Sequence, residues 1–471
     1  MAAAPTAATA LAPDKSFLPR KIEFQTASSS SSAAAMGEGA ADKSQITGPQ
    51  PAYYLYPRDR LVDHCRKAPT CKVGRGLKNG GNTCFFNSVM QALTHTAPLQ
   101  SLFLSGEHIA SCKARKEGGF CALCLFESHA KEALTSPSRA PFAPKPLLSR
   151  LKELGGKQMR LGRQEDAHEF LIQFLDACHR SALKPVKDKN SEVPLEVQRT
   201  TSIHQLFGGY LRSQVLCLTC KSESNVFDPF MDLSLEVNQA SSVERALEGF
   251  TKSEKLCGQN RYRCKHCQAH RDATKQFTIA TAPPLLTIQL KRFECCFGQR
   301  GKINKNVSFK LDLDLARFTS HPDQEAKYRL YAVIVHRGHS ARSGHYIAFA
   351  RHPSTDKWYE FDDEAVRPVP VQEVLRQQAY LLFYQKKSLP PPVPSGPEVE
   401  KKKKAGPSSP ASESESTLAP EDCSRARQEK RRASALESPE PEPSPDGPAA
   451  KARKLAEQEA QQQQQQQQQQ Q

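Results

Sequence analysis

The sequence predicts an α+β domain between two disordered tails. Three observations carry this expectation. Apolar residues recur at helical spacing before residue 185, short β-rich runs fill residues 285–384, and no repeated helix–strand alternation links them. Residues 1–53 are rich in Ala, Ser and Pro, while residues 386–471 are rich in Pro, Ser, Glu and Lys and end in eleven glutamines from Gln461. Neither stretch carries enough large apolar residues to offset the entropy of ordering its backbone. Residues 54–385 remain, long enough for one large, multi-lobed domain.

Within that span, Asn82–Thr96 opens on cap-type residues and continues CFFNSVMQALTH without Gly or Pro, which predicts a helix. Gln164–Leu183 predicts a second. Phe170, Leu171, Phe174, Leu175, Cys178 and Ala182 share one face, with Glu165, Asp166, Glu169 and Gln173 on the other. The period then changes. Leu285–Phe293, Tyr328–Val335, His345–Arg351, Lys357–Phe361 and Tyr380–Tyr384 read as strands. No internal repeat is visible.

The net charge of +16 is unevenly placed: residues 386–471 hold 14 Lys/Arg against 13 Asp/Glu, whereas residues 1–385 hold 52 against 37. A basic domain attracts acidic partners, chromatin and RNA among them, although solubility alone is a sufficient reason for the surplus. No apolar run approaches the roughly 18 residues of a membrane span, and the N-terminus lacks the pattern of a secretory signal. The 15 cysteines are therefore expected as thiols, metal ligands or nucleophiles. Lys401–Lys404, Lys430–Arg432 and Lys451–Lys454 are basic clusters that suit nuclear import or nucleic-acid contact. A solvated linker balanced by its interspersed acids is the alternative reading of these clusters.

GLKNGGNTCFFNS, Gly76–Ser88, puts Cys84 behind two glycines and a polar cap at a helix start. A helix N-terminus favours a thiolate and offers free N–H groups to an oxyanion. Asn79, five residues upstream, adds an amide donor. Taken alone, Cys84 reads rather as a buried structural thiol. Farther on, RGHSARSGHYIAFAR places His345 at the head of a strand, and WYEFDDE brings Asp362 seventeen residues later. A strand–turn–strand there would set Asp362 beside His345. Cysteine, histidine and carboxylate in that order are the nucleophile, base and orienter of a thiol hydrolase.

Two clusters suit zinc. Cys217, Cys220, Cys264 and Cys267 form two CxxC pairs 43 residues apart, too distant for a compact finger and expected at the tips of two hairpins. His108, Cys112, Cys121 and Cys124 follow H-x3-C-x8-C-x2-C, which suits three thiolates and one imidazole. Ordinary core residues at a helix start are the alternative for this second group.

These motifs resemble the ubiquitin-specific protease family from Gly76 to Tyr384. GLKNGGNTCFFNSVMQAL is similar to its cysteine box, GRQEDAHEFL to the helix that follows, and PPLLTIQLKRF to the strand before the histidine box. SGHYIAFAR, WYEFDD and YLLFY are similar to that box and its closing strands. YPRDRL and FGGYLRSQVLCLTC bring it nearest a nuclear and nucleolar animal subgroup, which implies a location in the nucleus or nucleolus, with the cytoplasm as the alternative. The resemblance implies papain-like thumb and palm lobes with a β-rich fingers lobe holding a zinc ribbon. It implies hydrolysis after the C-terminal Gly-Gly of ubiquitin, with ubiquitin and ubiquitinated proteins as partners. By position, Cys84 matches the nucleophile, His345 the base, Asp362 the third member of the triad and Asn79 the oxyanion-hole asparagine. Asp363 matches a helper carboxylate. Asp166 matches a residue that engages ubiquitin's basic tail, with Glu169 one turn on, and Phe293 and Tyr346 match the walls of the tail channel. Gly80 and Phe86 depart from the family pattern at positions without chemistry. Two rival readings are a catalytically silent ubiquitin-binding scaffold and a zinc-dependent nucleic-acid-binding protein. The first would lack a triad member, and the second leaves the three boxes unexplained.

Overall fold

The computed structural model describes residues 51–388, apart from residues 68, 187–191, 297–298, 322–325 and 341–342. The tails expected at 1–53 and 386–471, with their basic clusters and glutamine run, lie almost wholly outside the described residues. Helices precede strands, as an α+β domain requires. No helix among the described residues is long and apolar enough to cross a membrane.

The helical lobe surrounds α1 (Cys84–Thr94). Its residues carry no charge and all are buried, because a helix without a polar face has nothing to turn toward water. It starts later than its cap-type sequence suggests: Asn82 adopts a φ of 54° and turns the chain ahead of Thr83. Around it lie α2 (Glu107–Ser111), α3 (Lys113–Lys116), α4 (Ala122–Thr135) and α5 (Ala167–Leu183). The expected stripe on α5 is present, with Phe170, Leu171, Phe174, Leu175 and Cys178 buried. The helix begins at Ala167, however, and Asp166 is its N-cap. The Asp166 carboxylate accepts the N–H groups of His168 (2.8 Å) and Glu169 (3.0 Å), so it closes the helix end instead of lying on the polar face.

Next come β1 (Gly209–Cys217), β2 (Glu223–Phe230), β3 (Leu233–Glu236), β4 (Glu254–Leu256), β5 (Tyr262–Cys264), β6 (Ala269–Arg271), β7 (Ala273–Thr281) and β8 (Leu285–Lys291). The remainder are β9 (Phe293–Cys296), β10 (Gln299–Lys302), β11 (Asp312–Asp314), β12 (Lys327–Ser340), β13 (Ser343–Arg351), β14 (Trp358–Asp362), β15 (Ala365–Val369) and β16 (Ala379–Lys386). The main sheet runs β15-β14-β13-β12-β16-β8-β3, with β11 also on β12. It is apolar on both faces. Along β12, Tyr331 and Ile334 join the core shared with the helices, while Leu330, Val333 and Val335 join a second core on the far side. Ala348 and Ala350 against Ile347 and Phe349 repeat the division on β13. This explains why YRLYAVIV and YLLFY read as continuous apolar runs rather than alternating ones. A separate sheet, β2-β1-β7-β4, and the small β5-β6 hairpin form the extension that carries the two CxxC pairs.

The run Leu285–Phe293 divides into two strands because Arg292 turns into the core. This side chain is 1% exposed and donates to the carbonyls of Ala379 (2.6 Å), Ile303 (2.9 Å) and Lys305 (2.8 Å). Burial pulls its guanidinium down to about 10. Arg292→Met keeps much of the volume and strips those carbonyls of their donor. Each orphaned buried group costs about 1–3 kcal/mol, so a loss of about 3 kcal/mol is expected in urea unfolding. An unchanged midpoint would show that water replaces the guanidinium without penalty.

Candidate active site

The cysteine box is latched to the turn between β14 and β15. Asn79 Oδ1 accepts the N–H groups of Gly81 (3.0 Å) and Thr83 (3.1 Å), and its Nδ2 donates to Asp363 Oδ2 at 2.7 Å. Asn87 Nδ2 donates to the other Asp363 oxygen at 2.8 Å, and Leu77 N–H donates to the Asp363 carbonyl at 2.8 Å. Asp363 itself holds a φ of 47°. A side chain at Gly76 would set its Cβ 2.1 Å from the Glu364 carbonyl oxygen, so only glycine permits this approach. The latch places Cys84, 3% exposed, at the first turn of α1 and against β13.

His345 is the third residue of β13, and Asp362 closes the neighbouring strand β14. The antiparallel pairing of Ala348 with Phe361 sets them diagonally, and His345 Nε2 bonds Asp362 Oδ1 at 2.6 Å. With Nε2 held by the carboxylate, Nδ1 is the nitrogen left for a thiol. The Cys84 side chain and then the Asp362 carboxylate push His345 up to about 9, against burial that pulls it down. Asp363 Oδ2 is also within 3.9 Å of His345 Nε2. The strand–turn–strand expected from the sequence thus brings His345 to Asp362, and Cys84 and Asn79 join them.

Of the residues expected along the substrate path, Asp166, Phe293 and Tyr346 gather around Tyr380. The Tyr380 hydroxyl donates to the Asp166 carboxylate at 2.7 Å, and its ring centroid lies 5.0 Å from Phe293 and 6.0 Å from Tyr346. The Tyr346 ring lies 4.6 Å from that of His336, which Gly344 admits by lacking a Cβ. Glu169, half-buried, accepts from Gln158. Gln164 carries no sequence signal of its own. It donates from Nε2 to the Gly344 carbonyl (2.9 Å) and accepts the Gly344 N–H (3.2 Å), fixing the backbone beside His345. Asn87 and Tyr380 are likewise silent in the sequence. They act across 276 and 214 residues of sequence, and no local pattern announces such partners.

Both metal groups assemble. Cys217 and Cys220 occupy the β1–β2 turn and Cys264 and Cys267 the β5–β6 turn, the two hairpin tips expected. Their sulfurs lie within 4.8 Å of one another, with Cys220 and Cys264 3.6 Å apart. Sulfurs about 2.3 Å from one zinc ion stand about 3.8 Å apart, so this set fits a four-thiolate zinc site. His108, Cys112, Cys121 and Cys124 form a second set within the same limit.

A sulfur at a helix N-terminus, an imidazole fixed by a carboxylate and an amide beside them define the thiol-hydrolase class. Residues 75–384 match the family model described as ubiquitin carboxyl-terminal hydrolase. The probable ubiquitin carboxyl-terminal hydrolase 16 of Schizosaccharomyces pombe is 39% identical over 342 residues, covering 72% of each chain. Human ubiquitin carboxyl-terminal hydrolase 42 is 39% identical over 352 residues, 74% of this chain and 25% of the relative. Ubiquitin carboxyl-terminal hydrolase 23 of Arabidopsis thaliana is 42% identical over 318 residues, 66% and 35% respectively. The chain therefore spans under two thirds of the human and Arabidopsis relatives. A solved SAGA Ubp8/Sgf11/Sus1/Sgf73 DUB module bound to ubiquitin aldehyde superimposes with a TM-score of 0.59 at 29% identity, covering 70% of this chain and 74% of that one. The chain belongs to the ubiquitin carboxyl-terminal hydrolase family, as a ubiquitin-specific protease.

Proposed function

We propose that this protein is a thiol-dependent deubiquitinase that cleaves the isopeptide or peptide bond after the C-terminal Gly-Gly of ubiquitin. The observation that carries the reading is the convergence of Cys84, His345 and Asp362 beside Asn79. The Cys84 sulfur attacks the carbonyl carbon of ubiquitin's terminal glycine. The oxyanion is held by backbone N–H groups at the start of α1 and by the Asn79 N–H not engaged by Asp363. His345 protonates the departing amine, and a thioester to Cys84 remains. His345 then takes a proton from water, whose oxygen attacks the thioester and releases ubiquitin's carboxylate and the Cys84 sulfur. The anionic charge of Asp166 and Glu169 draws in the basic tail, and Phe293 and Tyr346 wall its channel. Cys217, Cys220, Cys264 and Cys267 hold a zinc ion whose contribution is structural, tying the two hairpin tips together.

Hydrolysis of a ubiquitin C-terminal amide bearing a fluorogenic amine tests this reading. Steady release by the full chain is expected, and no release would contradict it. The pH profile adds a sharper check. His345 is raised, so its charged form persists below about 9 and is lost above it. The alkaline limb of kcat/KM should fall near pH 9. It should move to lower pH in Asp362→Ala, where one of the two groups raising His345 is gone.

We further propose a nuclear location with chromatin or RNA contact, supported by the separated basic clusters and by the positive surplus of residues 1–385. Neutralising all three clusters should shift the tagged chain toward the cytoplasm. Unchanged distribution would count against them as import signals.

A further inference from the structure

A single lysine joins the β9–β10 hairpin to the β12–β13 hairpin. Lys302 ends β10, where it pairs with Phe293 at the start of β9. Its side chain leaves that hairpin and donates to the carbonyl oxygens of His336 (2.6 Å) and Gly338 (2.8 Å) on β12. The main sheet leaves this stretch of β12 open. β16 pairs with β12 only as far as Val335, and the β12–β13 register shifts between Arg337 and Ser340. Carbonyls without a strand partner need another donor, and an ammonium offers three N–H groups. Lys302 is half-buried, and among the described residues no carboxylate forms an ion pair with it. Burial and the neighbouring Arg292 guanidinium pull its ammonium below the ordinary lysine range. The two carbonyls are the groups that offset this cost.

The strand that Lys302 holds carries part of the substrate path. The His336 ring lies 5.2 Å from that of Phe293 and 4.6 Å from that of Tyr346, so it stands between the two walls of the proposed tail channel. Burial, then Lys302 and His345, pull His336 down to about 4, so its ring is neutral at pH 7 and packs as an aromatic. Across the hairpin, His336 pairs with Tyr346 and Arg337 with His345. The two strands are close here: a Cβ on Gly338 would stand 2.5 Å from the Ser343 carbonyl oxygen and 2.6 Å from Gly344 Cα. The hairpin is fastened on both strands. Gln164 holds Gly344 and Asp362 holds the His345 ring, whereas Lys302 holds His336 and Gly338. Without the ammonium, the aromatic row can shift while the imidazole of His345 keeps its own partner.

We propose that Lys302 is a positioning residue for substrate binding: it fastens β10 to β12 and so fixes the Phe293–His336–Tyr346 row along which the C-terminal tail of ubiquitin lies. The inference rests on the deubiquitinase reading above. Lys302→Met keeps the stem and removes the ammonium. In this variant KM for the fluorogenic ubiquitin amide should rise about tenfold with kcat within about threefold, the pattern of lost binding and retained chemistry. Titration calorimetry should find ubiquitin bound about tenfold more weakly, and Lys302→Arg, which keeps donors for both carbonyls, should restore most of that loss. The alkaline limb of the pH profile should stay in place, since Asp362 still holds His345. Should Lys302→Met fail to fold, Lys302→Gln decides: its amide can serve one carbonyl, and a loss of affinity of at least about threefold is expected. An inactive unaltered chain contradicts the hydrolase reading, and ubiquitin affinity then still decides the role of Lys302. Unchanged KM and affinity in the folded variants, or a loss confined to kcat, overturns the proposal.

Discussion

Replacing Cys84 by alanine is expected to lower kcat/KM for a ubiquitin amide by at least about ten-thousandfold while leaving ubiquitin affinity within a few-fold. Removing the nucleophile of a thiol or serine hydrolase costs on the order of a millionfold, because the remaining groups have no atom on which to build the covalent intermediate. What survives is the rate from oxyanion donors and positioning alone. The fold should tolerate the change. Cys84 is buried in the first turn of α1, and alanine removes one sulfur atom from a well-packed helix with the strongest helix former in its place. Titration calorimetry with ubiquitin, beside the fluorogenic assay, separates the two effects. Activity within tenfold of the unaltered chain would mean that another group attacks the bond.

The next largest effects belong to Asp362 and Asp363, adjacent in sequence and opposite in duty. Asp362 holds His345 Nε2 at 2.6 Å, whereas Asp363 lies 3.9 Å away and spends its oxygens on Asn79 and Asn87. Asp362→Ala frees the imidazole to rotate and should lower kcat by about a thousandfold, with the acidward shift of the alkaline limb described above. Asp363→Ala should leave that limb in place. It releases Asn79, and loss of one oxyanion donor costs roughly a hundredfold to a thousandfold in kcat. It also unpins Asn87, whose Nδ2 loses its carboxylate partner, so a fall in melting temperature should accompany it. The decisive comparison is the cycle with Asn79→Ala. If Asp363 acts by holding Asn79, the two substitutions together should cost little more than Asn79→Ala alone, and full additivity would remove that link. A shift of the alkaline limb in Asp363→Ala would instead make Asp363 the orienter.

These two carboxylates also mark how far the sequence could be read. The WYEFDD string announced a carboxylate near His345 because strand pairing is local, acting over seventeen residues. The Asn79–Asp363 bond joins residues 284 apart, and the Gln164–Gly344 pair spans 180, so neither leaves a periodic trace. Helix ends were blurred for a related reason. Asn82 and Asp166 both fall inside the spans that the sequence suggests are helical, yet one is turned out of the helix by its positive φ and the other caps the helix with its side chain. The split of Leu285–Phe293 was hidden because an arginine in LKRF reads as exposed. Its burial depends on carbonyls supplied from Ala379, Ile303 and Lys305. By contrast, the gathering of both Cys/His clusters was legible, since CxxC spacing fixes half of each set locally.

The central claim is that Cys84 carries out acyl transfer from the C-terminus of ubiquitin. It is tested most directly by mixing the full chain with ubiquitin bearing a C-terminal electrophile, then mapping the adduct by peptide mass spectrometry. The predicted result is one covalent ubiquitin per chain on Cys84, with no adduct in Cys84→Ala. No adduct with the unaltered chain, as a silent scaffold or a zinc-dependent nucleic-acid binder would give, or an adduct that survives Cys84→Ala, would contradict it.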